Sequence, residues 1–95
     1  MNLRVTDKAA EWYKTELNLS NGDTIRFFVR YGGSSPIQKG FSLGLIQDIP
    51  SKTVVKTEEA GITFFIEEAD LWYFDEHNLE IGFNEKMDEP EFLYQ

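Results

Sequence analysis

Two alternating apolar segments joined by small residues constrain the fold of this chain more than any other feature. The alternating positions are Ile25, Phe27, Val29 and Tyr31 before the connection and Phe41, Leu43 and Leu45 after it. An apolar residue at every second position is typical of a strand with one buried face. We therefore predict paired strands over residues 24–31 and 41–47. We expect any binding site to lie in the loop between them, which contains Gly32, Gly33, Ser34, Ser35 and Pro36.

Shorter patterns predict the remaining elements. Thr6 or Asp7 can cap a helix, and residues 7–17 carry Ala10, Tyr13 and Leu17 at helical spacing, which predicts an N-terminal helix. Further strands are predicted at residues 3–5, 52–57, 62–66, 79–83 and 91–94, and a short second helix at residues 67–74. Of these seven segments we expect about six to form short strands, and together with the two helices they indicate a mostly β (α+β) fold of two layers, with antiparallel or mixed sheets.

The composition indicates a globular chain without thiol chemistry. At 95 residues, 41% of them hydrophobic and 15% aromatic, the chain is expected to form a single domain, residues 1–95, with one core. It has no cysteine, which excludes disulfides, cysteine nucleophiles and thiolate ligands for zinc or an iron–sulfur cluster. No segment resembles a signal peptide or reaches the roughly 20 apolar residues of a membrane span. We therefore expect a cytoplasmic protein.

The net charge of −8 is concentrated in the second half of the chain. Residues 1–50 hold six Lys and Arg against five Asp and Glu, whereas residues 51–95 hold three against twelve. A negative surface of this kind disfavours nucleic acid and anionic lipid as partners and favours a basic protein surface or a cation. The simpler interpretation is that the negative charge keeps the protein soluble.

Three segments resemble the HesB-like domain, the family of A-type iron–sulfur cluster carriers. They are residues 3–10 (LRVTDKAA), residues 25–35 (IRFFVRYGGSS), and residues 61–67 (GITFFIE) continuing to residues 71–74 (LWYF). The resemblance covers most of the chain. It implies a compact β pseudobarrel capped by a helix.

The same resemblance implies where a cluster would be held. In that family the ligands are one cysteine in the small-residue loop and two in a Cys-Gly-Cys tail. Here Ser34 stands where the loop cysteine is expected, and no Cys-Gly-Cys segment occurs. A serine hydroxyl keeps its proton near neutral pH and is a poor iron ligand. We therefore expect the fold of the family without a bound iron–sulfur cluster.

Two other sites are open alternatives. The loop residues Gly32, Gly33, Ser34 and Ser35 offer backbone amides to an anion, although they lack the lysine of a P-loop. Asp75 and His77, the only histidine, carry ligand types that a metal accepts. A plain strand connection and a solvated turn are the simpler interpretations. A hydrolase that pairs one of the loop serines with His77 lacks any supporting nucleophile-elbow pattern.

The remaining candidate is a contact surface. Trp72 and Tyr73 lie next to each other in the acidic half of the chain, and neighbouring aromatic residues on one helix cannot all face a core. We expect them to contact a protein partner or a second copy of the chain. The sequence is best explained by a non-catalytic accessory or protein-binding member of the family. The alternative is a small metal- or anion-binding protein.

Overall fold

The computed structural model describes all of residues 1–95 and contains seven strands, one α-helix and one 3-10 helix. The order is β1 (Leu3–Val5), α1 (Asp7–Glu16), β2 (Thr24–Ser34), β3 (Lys39–Gln47), β4 (Thr53–Glu59), β5 (Ile62–Glu67), the 3-10 helix (Glu68–Phe74), β6 (Leu79–Asn84) and β7 (Glu89–Tyr94). No helix is long and apolar enough to cross a membrane. The predicted mostly β, α+β class is confirmed, with seven strands in place of about six.

The strands form two mixed sheets, and neither closes into a barrel. One sheet has the order β1-β6-β7 and the other the order β3-β2-β5-β4. Strands β1 and β6 pair in parallel, as do β2 and β5, while the hairpin pairs are antiparallel. In the predicted β2–β3 hairpin, Phe27 lies opposite Leu45 and Tyr31 opposite Phe41. Residues of like polarity therefore share a face along both strands.

The core lies between the two sheets and beneath α1. Phe27 of β2 stacks on Phe64 of β5 at 5.9 Å between ring centroids, and Phe92 of β7 meets Phe27 edge-on at 6.0 Å. From the helix, Tyr13 reaches Phe64 at 6.2 Å. Aromatic side chains remove large apolar areas from water, so these contacts hold the layers together.

Two details of the helices differ from the sequence predictions. Helix α1 ends at Glu16, and Leu17, predicted on its buried stripe, is 47% exposed, because the buried stripe is Ala9, Ala10 and Tyr13 instead. The predicted second helix is a 3-10 helix that begins at Glu68. Glu67, predicted as its first residue, is the last residue of β5.

Glu67 uses its buried carboxylate to hold the connection between β3 and β4. It accepts hydrogen bonds from the backbone N–H groups of Ser51 at 2.9 Å and Lys52 at 3.0 Å, and from Thr53 Oγ1 at 2.6 Å. Burial on its own opposes ionisation, but the three donors outweigh it and lower the pKa of Glu67 below its ordinary value. The ionised carboxylate is therefore the form that stabilises the fold.

We expect Glu67→Gln to lower the free energy of unfolding at pH 7 by about 1 to 2 kcal/mol, since the amide presents its N–H₂ to Thr53 and loses the charge. A group with a lowered folded pKa contributes stability above its unfolded pKa and loses it as pH falls through the folded value. The difference between wild type and variant should therefore shrink below about pH 4. Urea unfolding between pH 7 and pH 3 measures it, with the exposed neighbour in Glu68→Gln as control. A difference that stays constant down to pH 3 would contradict the role of ionised Glu67.

Candidate functional site

The predicted site loop is shorter and more ordered than expected. Strand β2 continues to Ser34, which pairs with Lys39 of β3, so the connection itself is only residues 35–38. The ladder is irregular between Tyr31 and Ser34, where Gly32 and Gly33 have positive φ angles of 114° and 68°. Glycine adopts these angles without strain, which explains the small residues.

The polar groups of Ser35 form hydrogen bonds within the turn. Its Oγ accepts from the backbone N–H of Gln38 at 3.0 Å, and its own N–H donates to the Gln38 carbonyl at 3.3 Å. The loop residues Gly32, Gly33, Ser34 and Ser35 thus form the irregular end of a hairpin. A strand connection was the simpler of the two interpretations of this segment, and the internal bonding of Ser35 agrees with it.

A cavity of about 290 Å³, here called the serine pocket, lies beside this turn. Its lining residues are Ser34, Ser35, Pro36, Ser42, Leu43, Phe92 and Tyr94. None of them is a Lys, Arg or His, so no cation faces an anion there and no base faces a serine. The Tyr94 hydroxyl lies 2.9 Å from that of Tyr73, and burial, followed by this bond, raises the pKa of Tyr94. It is therefore protonated at neutral pH.

The metal candidates are not gathered into a ligand set. His77 Nδ1 lies 2.9 Å from the backbone carbonyl of Phe74, which engages that ring nitrogen within the turn. Asp75, at the end of the 3-10 helix, lines a different cavity, together with Trp72. No group of three or more His, Asp or Glu side chains is placed to hold a metal ion. Two ligands or fewer bind most metal ions weakly.

Three aromatic side chains form a continuous row at the surface, here called the aromatic row: Tyr31, Phe41 and Trp72. Tyr31 meets Phe41 edge-on at 5.7 Å, and Phe41 meets Trp72 edge-on at 5.1 Å. Tyr31 is 91% exposed and Trp72 is 52% exposed, whereas Phe41 is half-buried and packs against the core. The row therefore presents two rings to solvent on a support fixed to the core.

Tyr73 does not belong to this surface. It was expected beside Trp72 in an exposed patch, but its side chain is fully buried and bonded to Tyr94. Successive residues of a 3-10 helix point about 120° apart, so Trp72 and Tyr73 cannot share a face. Tyr31 takes the place of Tyr73 in the exposed group, although its position in the alternating pattern predicts a buried side chain. The strand face that carries it extends past the edge of the core.

A buried ion pair positions the 3-10 helix that carries Trp72. Asp70 accepts from the backbone N–H of Val29 at 3.2 Å and from Arg26 Nη2 at 2.8 Å. Arg26 also lies 3.4 Å from Asp48, and its hydrogen bond to Asp70 is the main cause that raises the pKa of Arg26. The pairing of β2 with β5 ends at Arg26, and Asp70 provides the acceptor for the backbone N–H of Val29 beyond that point. This joins the helix to the strand that carries Tyr31.

Comparison with known proteins shows the family. Residues 1–92 match the family described as iron-sulphur cluster biosynthesis, and the chain belongs to it, which confirms the HesB-like resemblance. The chain is 57% identical over 95 residues, covering 100% of both chains, to a protein of Bacillus subtilis (strain 168) named pyruvate dehydrogenase inhibitor. It is 39% identical over 92 residues, 94% of each chain, to an uncharacterised protein of Staphylococcus saprophyticus. It is 34% identical over 91 residues to one of Staphylococcus haemolyticus, covering 93% of this chain and 89% of the relative.

The residues around Ser34 do not fit an iron–sulfur cluster. The donors in the serine pocket are serine hydroxyls and a tyrosine that burial keeps protonated. The chain contains no cysteine to supply a thiolate. Hard, protonated oxygens match neither the softness nor the charge of the cluster iron. The chain therefore belongs to its family but does not offer, near Ser34, the thiolate ligands that an iron–sulfur cluster requires.

Proposed function

We propose that this chain is a non-catalytic regulatory protein that inhibits pyruvate dehydrogenase by binding to it. The observation that carries the proposal is the aromatic row, with two exposed rings held on a fixed support. The choice of target is supported by the relative that is 57% identical over its full length and is named pyruvate dehydrogenase inhibitor.

Physical chemistry supports a contact role for Trp72 and Tyr31. Exposed aromatic rings contribute large contact areas and lose little conformational freedom on binding, so Trp and Tyr are enriched among residues that dominate interface energy. The edge-on contact with Phe41 restricts the half-covered ring of Trp72 before a partner arrives, whereas Tyr31 keeps most of its surface free. Side chains that are already ordered lower the entropic cost of association.

The kinetics of inhibition test this proposal. The purified protein is titrated into a fixed concentration of pyruvate dehydrogenase from the organism that encodes it, and activity is followed before and after dilution. A binding inhibitor acts at once, reaches a plateau at a fixed molar ratio to the enzyme and releases it on dilution. Progressive inactivation by substoichiometric protein would indicate catalysis. Unchanged activity at saturating protein would reject the proposed target.

We expect no stoichiometric iron–sulfur cluster after anaerobic reconstitution with iron and sulfide, because the donors near Ser34 are protonated oxygens. The visible absorption after desalting should equal that of the untreated protein. Ser34→Cys is the matched comparison, since it restores one thiol at the position of the family's loop ligand. A stable cluster on the wild-type chain would contradict this assignment.

A further inference from the structure

A cavity beside Trp72 differs from the serine pocket in both shape and charge. Its volume is about 440 Å³, and we call it the acidic pocket. The lining residues are Met1, Leu71, Trp72, Phe74, Asp75 and Glu76. Phe74 is fully buried and Leu71 is 40% exposed, so the apolar part runs from the core to the surface. Trp72 belongs to both the pocket wall and the aromatic row.

Two adjacent carboxylates and one cation, the α-ammonium group of Met1, belong to the residues that line this cavity. Asp75 and Glu76 have φ angles of 45° and 68°, and both residues face the same pocket. The four ion pairs of the molecule involve neither residue. No Lys or Arg occurs between Lys56 and Lys86, so the two carboxylates face a single positive charge at the pocket wall, that of Met1. The field in the pocket is therefore negative.

A second group of residues combines an aromatic ring, a carboxylate and the ammonium group of a lysine of the same chain. Lys8 of α1 lies 4.8 Å above the ring centroid of Phe83 and bonds to Glu85 at 2.6 Å. An aromatic face and a carboxylate there share one ammonium group. The acidic pocket has an aromatic wall and two carboxylates but only one ammonium group of its own, that of Met1, so a cation from another molecule would balance the second carboxylate.

We propose that the acidic pocket binds a basic side chain, arginine in the first place, of the protein partner. The aliphatic stem of arginine would lie against the exposed part of Leu71, its planar guanidinium would stack on Trp72, and its N–H groups would donate to Asp75 and Glu76. This chemistry is complementary in both charge and polarity to the residues present. The proposal rests on the proposed function only for the identity of the partner.

A peptide titration tests the pocket without the enzyme. In a Trp12→Phe background Trp72 is the only indole, and its fluorescence is followed while a tetra-arginine peptide is added. We expect saturable quenching that weakens with salt and is absent with a tetra-glutamate peptide. Asp75→Asn/Glu76→Gln should weaken the affinity at least fivefold. Glu58→Gln/Glu59→Gln removes the same charge at the opposite end of β5 and should change it less than twofold. Equal loss in both double variants would overturn the proposal.

The inhibition assay separates failure of the pocket from failure of the proposed function. If the wild type inhibits and Asp75→Asn/Glu76→Gln needs at least a fivefold higher concentration than Glu58→Gln/Glu59→Gln, the pocket binds the partner. If the two double variants inhibit equally, the proposal is overturned while the proposed function stands. If the wild type does not inhibit but the tetra-arginine peptide binds as described, the pocket stands and the proposed target is wrong. If the tetra-arginine peptide does not bind selectively, the pocket proposal is overturned whether or not the wild type inhibits.

Discussion

Trp72→Ala is expected to raise the concentration of protein needed for half-maximal inhibition of pyruvate dehydrogenase by about 30-fold. Truncating a central aromatic residue of an interface costs about 2 kcal/mol or more, and each 1.4 kcal/mol is a factor of about ten in affinity. Trp72 is the ring shared by the aromatic row and the acidic pocket. Because 52% of it is exposed, most of its contact area is free for a partner.

Three further variants make this result specific. Trp72→Phe keeps an aromatic face and should give an intermediate loss. Tyr31→Ala removes a ring that is 91% exposed, so it should weaken inhibition without altering the thermal unfolding temperature. Ile49→Ser removes an apolar side chain that is 82% exposed at the other end of the β2–β3 hairpin, and should inhibit like the wild type. Equal inhibition by Trp72→Ala and Ile49→Ser would remove the aromatic row from the interface.

Asp70→Ala is expected to lower the free energy of unfolding by about 3 kcal/mol. It leaves the Val29 N–H without its acceptor and Arg26 without its main partner, and the Nε of Arg26 is already buried and unpaired. Removing one member of a buried, hydrogen-bonded charge pair costs more than the pair itself contributes. Urea unfolding at pH 7 measures the change.

Two companion variants identify the cause. Asp70→Asn keeps a carbonyl oxygen for the Val29 N–H but loses the charge facing Arg26. It should therefore lower the free energy of unfolding by less than Asp70→Ala does. Glu68→Ala removes an exposed carboxylate two residues earlier in the same 3-10 helix and should change stability by less than about 0.5 kcal/mol. If Asp70→Ala and Glu68→Ala were equally stable, the ion pair would not anchor the helix.

The strands could be predicted because their periodicity depends on burial. Every second residue of β2 and β3 faces the core up to Val29, and the continuous apolar run of β5 has both faces covered, with Phe64 and Phe65 fully buried. The family could be recognised for a related reason. Its resemblance rests on these same core strands, and the match to the family over residues 1–92 confirmed it.

The polar anchors could not be predicted in this way. Glu67 and Asp70 stand in an acidic segment that is otherwise exposed, and nothing in composition distinguishes a buried carboxylate from a solvated one. Their partners are distant in the chain: Ser51, Lys52 and Thr53 for Glu67, and Arg26 and Val29 for Asp70. The exposure of Tyr31 and the burial of Tyr73 follow from where the core ends, which is a property of the packed structure.

Binding of the metal-free protein to pyruvate dehydrogenase tests the central claim most directly. The protein is treated with a chelator, and its sedimentation is recorded alone, with the enzyme, and after incubation with iron and sulfide. The run without the enzyme also shows whether the chain associates with a second copy of itself. The account predicts that the metal-free wild type cosediments with the enzyme, that iron and sulfide change nothing, and that Trp72→Ala sediments separately. Binding that appears only after iron and sulfide are added, or no binding at all, would contradict it.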